Sequence, residues 1–188
     1  MTITASAIWR RLDVPGHDVC WLHRHNDGWT LQGSAIYCHE TGPACLHYRT
    51  ASNFAWETVS GEVYGRLGDR EISYQAARAG TEWTLNGVAI PELRSFLDLD
   101  FGFTPATNYQ QLQRIGIALH QSAEIVVAWL DVDAGTLTAL PQRYERLSAS
   151  TYRYEAPTFE YEGLLELAPN GFIQHYPGLW AAEAIGRS

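Results

Sequence analysis

The sequence has 188 residues, 46% of them hydrophobic and 18% charged, which is typical of a globular protein and not of a disordered chain. A formal net charge of −8 argues against nucleic acid as a partner, because the phosphate backbone would be repelled, and against an anionic membrane surface. Three cysteines leave at least one unpaired, and no apolar run typical of a signal peptide or a membrane span is visible. We therefore expect one cytoplasmic domain over residues 1–188 that is not embedded in a membrane.

Period-two alternation of apolar and polar residues predicts strands through most of the chain. In the N-terminal half, turn residues at 26–28 and 79–80 join pairs of strands into hairpins. The best helix candidate is residues 107–116, where Thr107 or Asn108 would cap the start and Gly116 would end the helix. Strands resume at 124–132 and continue to the segment at 171–180.

About ten short strands with glycine-rich turns indicate a mainly β fold, as a sandwich, a barrel or a strongly curved sheet. The passage at 102–107, rich in Gly, Thr and Pro, divides the chain near its middle. This permits two β-halves, about 1–100 and 101–188, within the single domain.

Asp98 and Asp100 are the first candidate site. On a strand they would point to one face, where two carboxylates could act as acid and base, hold a cation or accept hydrogen bonds from hydroxyl groups. They could equally form a structural ion pair with Arg94 or Arg114. The following residues, 104–108, have the chemistry of a tight corner, because Pro fixes φ and Thr and Asn bond nearby backbone.

Other chemical motifs are absent from the sequence. The histidines and cysteines lack the spacing of a structural zinc site, so no metal is expected. There is no nucleophile elbow and no phosphate-binding glycine loop, and we expect no cofactor.

The 7 Trp and 10 Tyr residues are the stronger functional signal. Rings on alternating strand positions could fill a core, or they could line a groove in which they stack on sugars or contact an apolar chain.

Several motifs in a fixed order resemble the bacterial putative glycolipid-binding family, formerly a domain of unknown function. They are the Asp98/Asp100 pair, the T-P-A-T-N run at 104–108, Arg114, EIVVAW at 124–129, QRY at 142–144, YRYEAPTFEYEG at 152–163 and GFIQHYPGLW at 171–180. The resemblance implies an antiparallel, strongly curved sheet or half-barrel built from two β-halves, with at most one or two short helices. It is similar to lipoprotein-localisation carriers, which shelter acyl chains in an apolar concavity.

We therefore expect non-enzymatic binding of a lipid or glycolipid in an aromatic-lined groove. The predicted ligand-binding residues are Asp98, Asp100, Thr107, Asn108, Arg114, Trp56, Trp83, Tyr144, Tyr154 and Tyr176. One alternative is an enzyme acting on a carbohydrate or lipid conjugate, with Asp98 and Asp100 as the acid/base or metal-holding pair. Another is a protein-interaction module, and a homodimer would fit it.

Overall fold

The computed structural model describes residues 2–187, and the side chains of residues 2–186. Within that range the chain forms fifteen strands, one α-helix and two 3-10 helices. The strands are β1 (Thr2–Arg11), β2 (Gly16–Arg24), β3 (Trp29–His39), β4 (Gly42–Ser52), β5 (Thr58–Leu67), β6 (Arg70–Ala79), β7 (Glu82–Leu85), β8 (Val88–Ile90), β9 (Leu99–Asp100), β10 (Ser122–Asp131), β11 (Thr136–Arg146), β12 (Thr151–Ala156), β13 (Tyr161–Leu167), β14 (Ile173–Tyr176) and β15 (Trp180–Arg187). The helix α1 spans Ala106–Ile115, and the 3-10 helices span Pro91–Leu93 and Pro157–Phe159.

The prediction of a mainly β fold is confirmed. The strands outnumber the ten or so expected in part because β8 and β9 have only three and two residues. Segments of that length are too short to show a period of two in the sequence.

All fifteen strands belong to one sheet, in the order β8-β7-β6-β5-β4-β3-β2-β1-β15-β14-β13-β12-β11-β10-β9. Every pairing is antiparallel except that between β9 and β10. The first and last strands, β1 and β15, pair in the middle of the sheet, so that β1–β8 form one flank and β9–β15 the other. The division into two halves as units of the domain stays a prediction.

The sheet is strongly curved, because both flanks contact the same helix. Thr50 of β4 donates a hydrogen bond to Gln110 of α1 at 2.7 Å, and Tyr144 of β11 donates one to Gln111 at 2.6 Å. In a flat sheet, eight strand steps of about 4.8 Å would separate β4 from β11 by about 38 Å. A ten-residue helix is only about 15 Å long, so the sheet must wrap around it. Among the described residues β8 and β9 do not pair with each other, and the sheet stays open.

The helix α1 lies inside this concavity, and its first seven residues are buried. The hydroxyl of Thr104 accepts a hydrogen bond from the backbone N–H of Ala106 at 3.1 Å, and Gly116 ends the helix in the left-handed conformation. The predicted stop at Gly116 is confirmed. The predicted caps are wrong, because the N-cap is Pro105 and both Thr107 and Asn108 lie within the first turn. In residues 2–187 no helix has the length and apolar content needed to cross a membrane.

Candidate functional site

Asp98 lies in a buried ion pair with Arg114 of the helix. Its two carboxylate oxygens accept hydrogen bonds from Arg114 Nε at 2.7 Å and Nη2 at 2.5 Å, and the Asp98 side chain is only 2% exposed. Burial raises the pKa of the Asp98 carboxyl, and the two charge-assisted hydrogen bonds from Arg114 act against that rise. A structural ion pair with Arg114 was one of the interpretations of Asp98 that the sequence left open, and the observed geometry matches it.

Asp100 has different partners, all of them uncharged. Its carboxylate accepts hydrogen bonds from the backbone N–H of Gly102 at 2.7 Å, from Gln142 at 2.8 Å, from Gln111 at 3.1 Å and from the Thr107 hydroxyl at 3.4 Å. Four donors can hold a buried carboxylate in place without a cation. One predicted ligand-binding residue, Thr107, therefore serves to position another.

The network continues from the helix to β11. Asn108 donates to the hydroxyl of Tyr144 at 2.8 Å, and that hydroxyl donates to Gln111 at 2.6 Å. No sequence pattern singles out Gln111 or Gln142, since glutamine in a helix or strand is usually exposed. Only the burial of α1 inside the sheet makes both of them structural.

A pocket of about 470 Å³ opens at the end of the sheet where β1, β3 and β10 finish and β15 begins; we call it the end pocket. The Phe, Tyr and Trp residues that line it are Tyr37, Phe101, Phe103, Trp129, Tyr154, Phe159, Tyr161, Tyr176 and Trp180. Burial raises the pKa of Tyr161 to about 12 and those of Tyr154 and Tyr176 well above the usual value. These phenols therefore stay neutral at physiological pH, and they give the pocket apolar faces with hydroxyl groups.

The structure brings four of the ten predicted binding residues to the end pocket. They are Asp100, Asn108, Tyr154 and Tyr176. Of the others, Trp83 is fully buried in β7, where its indole N–H donates to the carbonyl of Phe96 at 2.9 Å.

Trp56 lies in another part of the molecule, stacked on Trp29 with ring centroids 4.6 Å apart. It also meets the ring of Tyr109 edge-on, with centroids 5.5 Å apart. Trp56 therefore contacts the helix α1, and it lies outside the lining of the end pocket.

One wall of the end pocket depends on a glycine. Gly102 has a φ of +58°, and a Cβ added there would lie 2.6 Å from Nε1 of Trp129. A side chain at this position would meet both an unfavourable backbone conformation and a steric conflict with the tryptophan.

We expect Gly102→Ala to lower the free energy of unfolding by about 2–4 kcal/mol, as the sum of left-handed backbone strain and displacement of Trp129. The matched control is Gly116→Ala, where φ is +52° but no atom lies within 4 Å of the added Cβ. That variant should lose only the backbone part, about 1 kcal/mol. Urea unfolding of both variants measures the difference, and equal losses would contradict the role given to the Trp129 contact.

The mouth of the end pocket carries charged residues that sequence reasoning missed. Arg11 and Asp13 form an ion pair there, and the Arg11 guanidinium lies 4.4 Å from the centroid of the Tyr37 ring and 5.5 Å from that of Trp180. No local motif could reveal this group, because the guanidinium comes from β1 and the two rings come from β3 and β15.

A second group missed from the sequence lies below the pocket. Asp18 is 1% exposed and accepts hydrogen bonds from the hydroxyls of Tyr48, at 3.1 Å, and Thr104. Burial raises the pKa of Asp18 to about 8, and the two hydrogen bonds act against that rise. Thr104 also lines the end pocket. The Asp18 carboxyl, which is largely protonated at neutral pH, therefore holds a residue of the pocket lining in place through a hydrogen bond.

Comparison with known proteins gives the same picture of the fold. Among curated proteins no sequence matches this chain. A crystal structure of a DUF1089 family protein from Pseudomonas aeruginosa is similar, with a TM-score of 0.76, 25% sequence identity and coverage of 87% of this chain and 91% of that one. The profile of the family described as "Putative glycolipid-binding" matches residues 6–182. This match spans nearly the whole sheet and the enclosed helix, and it confirms that the chain belongs to the putative glycolipid-binding family.

Proposed function

We propose that this protein binds a lipid or glycolipid without chemical conversion, and that the end pocket takes the apolar chain of the ligand. The observation that carries the proposal is a cavity of about 470 Å³ lined by aromatic rings inside a curved sheet. This volume lies within the range of ordinary small-molecule sites, about 300–1,000 Å³. It is about three times that of a cavity that holds one benzene molecule, so a single chain of up to about eighteen carbons would fill it.

The energy of such binding comes from burial of the chain. Each methylene removed from water gains about 0.8 kcal/mol, and ten of them gain about 8 kcal/mol before the cost of association is subtracted. Apolar residues at the inner part of the pocket, among them Leu130, Leu140 and Ala156, are almost fully buried and supply the matching surface. The family description supports the same ligand class.

The enzymatic alternative has less support from the geometry. Asp98 is held by Arg114 and does not line the end pocket, while Asp100 is held by four uncharged donors. An acid/base pair needs both carboxyl groups within reach of one substrate. The two carboxylates instead fasten one face of the helix to the sheet, through Thr107, Gln111 and Arg114.

The interaction-module alternative needs a free sheet edge. The edge strands β8 and β9 have three and two residues, too few for a stable ladder with another chain. Beside β9, Thr58 donates its N–H to the carbonyl of Leu97 and accepts a hydrogen bond from the N–H of Leu99. That edge is therefore already engaged within the chain.

The proposal is tested first by native mass spectrometry of protein purified from its own host, followed by organic extraction. A lipid or glycolipid released on denaturation would support it and identify the ligand class. The companion test is titration with a fluorescent probe that carries one alkyl chain. If no lipid is recovered and the probe does not bind, the proposal is wrong.

We expect Ala156→Trp and Val132→Trp to weaken binding of the alkyl probe by at least about tenfold, because each fills part of the end pocket. Val132 lies nearer the mouth, in the turn between β10 and β11, and provides a second variant should Ala156→Trp disturb folding. The control is Ala118→Trp, an equal change at an exposed position that does not line the pocket. Equal affinities in all three variants would place the binding elsewhere.

A further inference from the structure

The ion pair between Arg11 and Asp13 at the mouth of the end pocket bears on which head group the ligand carries, an inference that rests on the function proposed above. The Arg11 side chain is 11% exposed and the Asp13 side chain 31%. Arg11 is the last residue of β1 and pairs with Trp180, the first residue of β15. Its guanidinium is thus fixed by the rings of Trp180 and Tyr37 and by the carboxylate of Asp13.

The pair keeps hydrogen-bonding capacity on both sides. A guanidinium has five N–H donors. Two of those of Arg11 go to Asp13, from Nε to Oδ1 at 3.0 Å and from Nη2 to Oδ2 at 2.5 Å. Its other N–H groups have no hydrogen-bond acceptor among residues 2–186, and each Asp13 oxygen retains a further lone pair. A ligand at the mouth would therefore meet both donors and acceptors.

The charge around the pair disfavours an anion. Of the described residues that line the end pocket, Arg11 is the only arginine or lysine. Its charge is balanced by Asp13. Asp131 and Asp133 line the same pocket, and Asp133 is itself paired with Arg70 at 3.4 Å and with His39 at 3.0 Å, so the carboxylate near the mouth without an ion-pair partner among residues 2–186 is that of Asp131. A phosphate or carboxylate placed there would meet a neutralised cation and further carboxylates, so like-charge repulsion would outweigh the attraction. Hydroxyl groups can donate to the carboxylates and accept from the guanidinium at no such cost.

We infer that the Arg11–Asp13 pair is a head-group site that binds an uncharged, hydroxyl-bearing head and rejects anionic amphiphiles. The apolar chain then occupies the inner pocket and the head lies between the pair and the neighbouring rings. Tyr37 and Trp180 hold Arg11 in place and line the pocket beside the head.

The test uses three probes with the same n-decyl chain: decyl glucoside, decyl phosphate and decanol. Their affinities are measured by isothermal titration below their critical micelle concentrations. For the wild-type protein we expect decyl glucoside to bind at least about tenfold more tightly than decyl phosphate, about the effect of one hydrogen bond to a charged group. An equal or higher affinity for decyl phosphate would overturn the inference.

Two variants separate the two members of the pair. Arg11→Met should weaken decyl glucoside binding by about tenfold and decanol binding by much less, since decanol offers a single hydroxyl group to the pair and methionine retains the apolar stem of the side chain. Asp13→Asn leaves the Arg11 charge uncompensated and should tighten decyl phosphate binding by about tenfold. It also keeps the inference testable if Arg11→Met fails to fold. No gain for decyl phosphate in Asp13→Asn would overturn the inference.

The matched control is Arg10→Met. Arg10 adjoins Arg11 on β1, but its side chain is 57% exposed, pairs with Glu183 and does not line the pocket. We expect this variant to bind all three probes as the wild type does. If all three probes bind with the same affinity, the head-group site is wrong but the lipid-binding function is not. If no probe binds, decanol included, the lipid-binding function itself is wrong.

Discussion

Replacing Arg114 by alanine is expected to lower the free energy of unfolding by about 3–5 kcal/mol, the usual loss when a buried carboxylate loses its only cation. The Asp98 carboxylate is 2% exposed and both of its oxygens are bonded to Arg114. Without the guanidinium, Asp98 must remain charged in a poorly solvated site or take up a proton. Urea unfolding at neutral pH measures the loss.

Two controls distinguish a buried pair from ordinary surface charge. Arg143 forms a similar contact of 2.7 Å with Glu155, but both side chains are about one-third exposed. Arg143→Ala should therefore lower the free energy of unfolding far less than Arg114→Ala does. The double variant Asp98→Asn with Arg114→Met should recover part of the loss seen in Arg114→Ala, because it removes the uncompensated charge.

The result also bears on the enzymatic alternative. If the Asp98–Arg114 pair is structural, Asp98→Asn alone should affect folding stability and leave alkyl-probe binding in the end pocket nearly unchanged. Equal losses for Arg114→Ala and Arg143→Ala would instead show that Asp98 does not depend on its partner. That outcome would return the carboxylate to the group of functional candidates.

The sheet could be predicted from the sequence because its determinants are local. Alternation within each strand and turn residues between strands are visible in a few residues at a time. Tyr144 and Tyr154 illustrate this, since both fall on inward-facing positions and pair directly across β11 and β12. Their position in the interior follows from alternation, whereas their hydrogen-bond partners do not.

The site could be predicted only in part because its members are far apart in the chain. Arg11 and Trp180 meet through the pairing of β1 with β15, and neither strand contains a signal for that pairing. Tyr37 comes to the same place from β3. The buried location of α1 was equally hidden, since a helix rich in Asn and Gln has the composition of an exposed one. Because the sheet encloses the helix, Thr107, which was predicted to contact a ligand, lies within hydrogen-bond distance of Asp100.

The burial of Asp18 should make the free energy of unfolding depend on pH. In the folded protein burial raises its pKa from 3.8 to about 8. Between those two values the folded state holds a proton that the unfolded state has released, so the free energy of unfolding falls as pH rises. The slope is about 1.4 kcal/mol per pH unit for one proton, and the fall ends above about pH 8, where Asp18 ionises in the folded state as well.

The variant Asp18→Asn removes this titration while keeping the size of the side chain. We expect its stability relative to the wild type to increase between pH 5 and pH 8, by up to about 4 kcal/mol in total. Burial lowers the pKa of His23, which makes stability rise with pH near neutrality, but this contribution is common to both proteins and cancels in the difference. Urea unfolding of the two proteins at a series of pH values measures that difference directly.

The variant Asp18→Ala separates the contribution of the bound proton to stability from that of the hydrogen bonds. It should show the same pH profile as Asp18→Asn, because neither side chain titrates, but with a stability lower by about 1–3 kcal/mol, since the hydroxyls of Tyr48 and Thr104 lose their acceptor. If the free energy of unfolding changes with pH in the same way in the wild type and in Asp18→Asn, Asp18 is already ionised in the folded state at neutral pH. A buried anion would then lie below the end pocket, beneath Thr104, and the rejection of anionic ligands would have a second source besides the carboxylates at the mouth.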